Sequence, residues 1–318
     1  MQRLRNNDRG ATAAIVALLM VPLVAVAAIA IDVAAMYADE QQLQTGADAG
    51  AIAAAQDCAR GECELAPATA QAMAVANIND GDATGTVVAL DEAAGTVTVE
   101  TTTVREHWFA PVLGIDQTPI AARASARWGY PTGGQAMLPL IFSRCELTTQ
   151  LGGDLEAGTV DSSPRTILFP KHSGSDCYGQ SGNPIPGGFG WLRPSGECGQ
   201  TVTVIDGWAS SDTGNTPPSD CVPEDFGKWV GQTVFLPVFD DMSGTGANGA
   251  YRVYGYAAFE LTSYYFAGQY RFPYTDAPCD GSDRCIGGRF TRFVDLSDDF
   301  DFSPDAPNLG AAVVALTE

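Results

Sequence analysis

Hydrophobic and polar positions divide the chain into three stretches with different rhythms. The first is Ala11 to Ile31, ATAAIVALLMVPLVAVAAIAI, which contains no charged side chain. At helical rise it spans about 32 Å, roughly one bilayer core. In the second, Asp32 to about Ala59, polar residues punctuate alanines, and Met36, Leu43, Ala47, Gly50 and Ala54 fall near helical spacing on one face. Alanine, glutamine and leucine support a helix continuous with the apolar run, making one rod. A further helix is expected over Pro67–Asn79, with proline near its start and Asn79-Asp80-Gly81 ending it. The β-branched stretches Thr86–Leu90 and Thr96–Val104 flank a turn at Asp91–Gly95 and read as a hairpin. Glu106–Gly114 (EHWFAPVLG) reads as a short aromatic helical or coil segment. Thr118–Trp128 places Ile120, Ala122, Ala124, Ala126 and Trp128 on one side, as in a half-buried strand.

The third rhythm begins near Pro131, where glycine, proline, serine and aromatics take over. Strands are expected at Met137–Phe142, Arg165–Phe169, Thr201–Ile205, Thr233–Phe239, Tyr251–Tyr265 and Arg289–Leu296, separated by turn-rich stretches such as Ser173–Gly190 and Ser210–Pro223. The expected fold class is α+β: a long N-terminal transmembrane or pilin-like helix, a small α+β unit, and an irregular disulfide-rich β domain. The corresponding divisions are 1–10 (basic tail), 11–31 (membrane helix), 32–130 (helix plus small unit) and 131–318 (β domain).

Charge gives the first stretch a direction. Arg3, Arg5 and Arg9 precede it, and Asp32, Asp39 and Glu40 follow it. The positive-inside rule then puts the N-terminus in the cytoplasm and the remainder in an extracytoplasmic or cell-surface space. A cleaved leader is the competing reading, with Ala28-Ile29-Ala30 as its small-residue site. The apolar run exceeds the usual core of about 7–15 residues, which favours an uncleaved anchor. The lipid bilayer is therefore the first expected partner. With 38 acidic against 17 basic side chains and a net charge of −21, the chain would repel phosphate backbones, so no nucleic-acid partner is expected.

The eight cysteines, Cys58, Cys63, Cys145, Cys177, Cys198, Cys221, Cys279 and Cys285, all follow the apolar run. An even number on the exported side reads as a disulfide framework. Short spacing favours Cys58–Cys63 and Cys279–Cys285; Cys145–Cys177 and Cys198–Cys221 are the expected remainder, although spacing alone leaves other pairings open.

No catalytic constellation can be assembled from the sequence, and a non-enzyme without a cofactor is expected. The only histidines, His107 and His172, are far apart. Gly244, Gly246 and Gly249 fit G-x-G-x-x-G, but a strand-like aromatic segment follows where a nucleotide site needs a helix, so a loop between strands is expected. Asp295, Asp299 and Asp301 lie in an acidic cluster able in principle to take calcium, but the glycine and closing glutamate of a calcium loop are missing. Trp191, Trp208 and Trp229 are expected in cores or over disulfides, with sugar stacking as the alternative. Small residues four apart, Ala30/Ala34 and Gly46/Gly50, would let another helix approach closely; equally, that face would pack on the chain's own folded part.

The N-terminal stretch resembles the TadE/TadG-like family of the tight-adherence (Flp) pilus assembly system. The resemblance rests on Arg9-Gly10 before the apolar run, Asp32 after it, and Leu43 through Ala55 (LQTGADAGAIAAA). Phe109–Trp128 is also similar to the segment that closes the small domain in such proteins. This implies a membrane-anchored structural protein of pilus assembly or surface adhesion, with pilins or assembly-platform proteins as partners. A tethered calcium- or glycan-binding module is the alternative. Processed members of the family carry glutamate at the fifth mature position, whereas Ile15 stands there after Gly10; this departure counts against prepilin-peptidase cleavage.

Overall fold

A single helix, α1 (Asp8–Ala59), joins the first two sequence stretches without a break, and Pro22 lies within it. Its 52 residues extend about 78 Å at 1.5 Å per residue. The computed structural model describes residues 8–77, 83–151, 162–169, 178–182, 185, 188–196, 198, 202–212, 214–244, 248–297 and 299–317. Between Ala13 and Ile31 every residue is exposed except Ala28, which is half-buried. Beyond that point Leu43, Ala47, Ala51, Ala54, Ala55 and Cys58 are buried. Their three- and four-residue spacing is one helix face, built mostly of alanine so that other elements approach closely. The helix α2 (Ala66–Asn77) lays Ala66 and Ala70 against it, with Ala74 also buried. The Cys58–Cys63 disulfide closes the corner between the helices. The expected stop at 79–81 lies outside the described residues.

Next come β1 (Thr84–Asp91) and β2 (Thr96–Glu106), a 3-10 turn at Ala110–Leu113, and β3 (Gln117–Gln135). Val97, Val99, Thr101 and Thr103 alternate inward along β2, as period-two burial requires. β2 and β3 pair antiparallel from Thr96↔Arg127 to Glu106↔Gln117. Gly95 closes the β1–β2 turn at φ 61°, and a Cβ there would lie 2.3 Å from the Trp128 carbonyl oxygen, so only glycine fits.

The composition change at Pro131 falls inside β3, which runs on for several residues. The elements that follow are β4 (Leu140–Ser143), α3 (Arg144–Leu151), β5 (Arg165–Phe169), β6 (Phe189–Trp191), β7 (Val202–Val204), β8 (Trp208–Ser210), α4 (Pro223–Gly227), β9 (Thr233–Ser243) and β10 (Ala250–Tyr265). The chain then forms β11 (Arg271–Phe272), β12 (Arg284–Phe290), β13 (Phe293–Asp295), β14 (Phe300–Ser303), β15 (Asn308–Leu309) and β16 (Ala311–Thr317). The fold class is α+β, with one long apolar helix and two mixed sheets.

The two sheets do not follow chain order. The first runs β1-β2-β3-β16-β13, with β7 and β14 also on β3. Residues from the far end of the chain thus complete the sheet that begins at Thr84. The second runs β5-β12-β10-β9-β4-β6, with β8, β11 and β15 on β10. Strand β16 is buried on both sides. Ala312 and Val314 join the core facing α1 and α2. Ala311 and Val313 join Phe235, Val253, Tyr256 and Phe300 between the sheets. Between those sheets the Tyr256 hydroxyl donates to the Thr203 carbonyl at 2.6 Å, and burial pushes its pKa up to about 12.

The other side of the second sheet holds an aromatic core around Phe142, Phe189, Trp191, Phe226, Phe259 and Phe266. Disulfides Cys198–Cys221 and Cys279–Cys285 pin its loops. Cys145 is also disulfide-bonded, while Cys177 lies outside the described residues.

Candidate functional site

Three contacts set strand β2 in register along helix α1. Thr101 Oγ1 donates to the Leu43 carbonyl at 2.8 Å. Arg105 Nη1 donates to Asp39 Oδ2 at 3.2 Å. Then, where the chain leaves β2, the amides of Trp108, Phe109 and Ala110 donate to the Asp32 carboxylate at 3.0, 3.0 and 2.8 Å. As the strand numbers rise the helix numbers fall, so the β2–β3 connection points back towards the apolar half of α1. Asp32 is the first charged residue after that half.

Asp32 is buried. Burial acts to raise its pKa, but the amides of Ala110, Trp108 and Phe109, with nearby His107, outweigh it and hold the carboxyl below its ordinary value. Three successive N–H groups at the mouth of a 3-10 turn form a compact anion cradle, and here the chain's own carboxylate fills it. Because the pKa is lowered on docking, the lock's contribution is fully present above the free value of about 4, declines below it, and is lost as pH falls through the lowered value. Protection of amides 108–110 against hydrogen exchange, measured relative to their intrinsic rates at each pH, is expected to hold from neutral pH to the free value and to disappear once pH falls through the lowered pKa. Asp32→Ala should make those amides exchange fast at neutral pH; protection equal to the parent's would refute the lock. The loop so held exposes Trp108, Phe109, Val112, Leu113 and Ile115. The Arg105 guanidinium sits over the Trp108 ring, 5.2 Å from its centroid.

The small-residue positions separate into two groups. Gly46 and Gly50 are buried within the chain. A Cβ on Gly50 would lie 3.2 Å from Val99 Cγ1 and 3.4 Å from the Ala70 carbonyl oxygen. At Gly50 the elements admitted are β2 and α2 of the same chain, the second of the two readings its spacing left open. Spacing could not decide this, since glycine permits close approach whichever element arrives. Ala30 and Ala34 are exposed.

A second polar cluster braces β9 against β10. Arg252 donates to Asp240 through Nε at 2.9 Å and through Nη2, and its Nη1 donates to Gln180 Oε1 at 2.9 Å. Asp241 accepts from the Ser181 amide at 2.9 Å, the Ser181 hydroxyl at 2.6 Å and the Met242 amide at 2.8 Å. Burial acts to raise the Asp241 pKa, yet these donors and Arg252 carry it below its ordinary value. Both carboxylates are occupied by the chain's own donors, so the cluster ties loop 178–182 to the sheet edge.

The remaining sequence candidates are dispersed. Asp295 accepts from the Ser297 amide at 3.0 Å and hydroxyl at 2.8 Å, while Asp299 and Asp301 are exposed. Among the described residues no three of His, Cys, Asp or Glu are grouped to hold a metal ion. The glycine motif joins β9 to β10, with 245–247 outside the described residues. His107 meets Thr118 through Nε2 at 2.8 Å; His172 lies outside the described residues. Trp191 is fully buried, Trp229 half-buried and Trp208 exposed.

The sequence missed the role of Asp32. Its only local signal was an acid directly after an apolar run, and its partners lie 76 to 78 positions away.

Comparison with known proteins agrees with the N-terminal resemblance. Residues 10–57 match the family model of the Flp pilus-assembly TadE/G-like proteins. No curated protein and no solved structure matches the chain.

Proposed function

We propose that this chain, carrying a TadE/G-like helix at its start, is a membrane-anchored, non-enzymatic structural protein of a Tad/Flp-type pilus system. Its helix crosses the cytoplasmic membrane with the N-terminus inside, and its disulfide-pinned head lies outside. The observation that carries this reading is the division of labour along α1. Its apolar half, long and hydrophobic enough to span a bilayer, is exposed from Ala13 to Ile31 except at Ala28. Its second half is built into the head's core. A helix arranged in this way couples a folded body to the membrane plane and leaves its upper turns open to neighbouring helices. The tight-adherence family supplies the class of neighbour: pilins or assembly-platform proteins.

Ala34 lies on the exposed stretch between the apolar run and the buried face, and is the place to test for that neighbour. A photoreactive residue at Ala34, activated in intact cells, should capture a pilin or platform subunit. The same residue at exposed Val222 should not. Equal capture at both positions, or none at Ala34, would overturn the assignment. For the alternative, a tethered calcium- or glycan-binding module, one of the stacking candidates, Trp191, is inaccessible.

A further inference from the structure

We propose that residues 108–115, the tip of the β2–β3 hairpin, form a second membrane contact that enters the headgroup region of the leaflet from which α1 emerges. The inference rests on the anchoring reading above. Within this short stretch Trp108 is 67 % exposed, Val112 90 %, Leu113 68 % and Ile115 50 %, with Phe109 at 43 %. Large apolar side chains clustered at one turn require a covering surface.

The Asp32 lock identifies that surface. It fastens the tip at the first charged position beyond the apolar run, where a spanning helix leaves the hydrocarbon. The strand direction aims the tip towards the bilayer. From Leu43 to Asp32 the helix descends about 16 Å, and from Thr101 to Glu106, where β2 ends, the strand descends about 16 Å alongside it. Ala28, one helical turn below Asp32 and on its face, is the only half-buried residue among the exposed ones from 13 to 31.

The chemistry suits an interface. A tryptophan with an arginine over its ring combines an apolar body with a polar edge, the pairing favoured at headgroup depth. Glu106, His107 and Asp116 flank the apolar residues, so the hairpin turns polar where it would rise into water. Asp32 also resolves a conflict at this depth. Its three partner amides would otherwise be unpaired as the tip enters a poorly hydrated region.

The test uses the full chain in phosphatidylcholine vesicles. No free cysteine occurs among the described residues, so Val112→Cys introduces one thiol for an environment-sensitive fluorophore. Val112 is almost wholly exposed, and the substitution leaves the core intact. Leu18→Cys, in the apolar half of α1, and Val222→Cys, on the head, are labelled in parallel. Quencher lipids carry a nitroxide near the carbonyls or near the chain end. The label at 112 should shift to the blue and lose emission mainly to the shallow nitroxide. The label at 18 should respond to the deep one, and that at 222 to neither. Quenching at 18 without quenching at 112 would overturn the proposal and leave the anchor standing. Absence of quenching at 18 would overturn the anchor, and the tip proposal with it. Equal quenching at 112 and 222 would show the whole head lying on the membrane and would also overturn it.

Discussion

Deleting residues 311–317 is expected to unfold both sheets, although the segment is a single short strand. β16 lies between β3 and β13 in the first sheet, so its loss strips the Gly129↔Val313 to Ser125↔Thr317 pairing from β3. The strand is apolar on both faces, and its two valines belong to different cores. Burying Val313 and Val314 contributes about 3–6 kcal/mol before any backbone pairing is considered. Domain stabilities are about 5–15 kcal/mol, and the deletion also exposes Ala126, Trp128 and Phe300 to water. The shortened chain should still reach the membrane fraction through α1, but limited proteolysis should degrade everything beyond Ala59. A protease-resistant fragment spanning 84–128 would show that the first sheet stands without its return strand.

Trp191→Ala should be the most damaging single substitution in the second sheet, at about 3–5 kcal/mol. The indole is fully buried, with Phe169, Phe189, Phe226 and Phe266 rings at centroid distances of 4.9 to 6.1 Å. Alanine would leave a cavity walled by rigid rings unable to collapse into it. Trp191→Phe should cost far less. The indole nitrogen is buried with no hydrogen-bond partner among the described residues, so the phenylalanine variant leaves no buried donor to pair there. Denaturant midpoints of the three proteins would settle the order. Equal midpoints for the alanine variant and the parent would contradict the packing described.

Local rhythm carried much of this architecture. The rod, the second helix, the first hairpin and strands β5, β9 and β10 all follow from local signals: an apolar run, helix formers, β-branched and aromatic stretches, and turn residues. What the patterns lacked was long-range pairing. The run Ala311 to Val314 has no alternation because both faces are covered, and a short apolar run of that kind reads as helix or strand alike. β3 crosses the composition change at Pro131 because Gly133 and Gly134 still pair with β7 and β14. At Gly134 a Cβ would meet the Phe300 ring at 2.3 Å. The candidate site was legible only in its parts. Asp32 announced a boundary and EHWFAPVLG announced an aromatic segment, but nothing local tied one to the other.

Because β3 belongs to the helix-backed sheet and also pairs with strands beyond Pro131, tension has a defined route through the molecule. A pull on the far end of the head, resisted at the rod, travels along the axis of β3. Its hydrogen bonds to β2 and β16 stand across that axis, so they would be sheared together and not peeled one at a time. Such a geometry resists deformation under a load applied along β3.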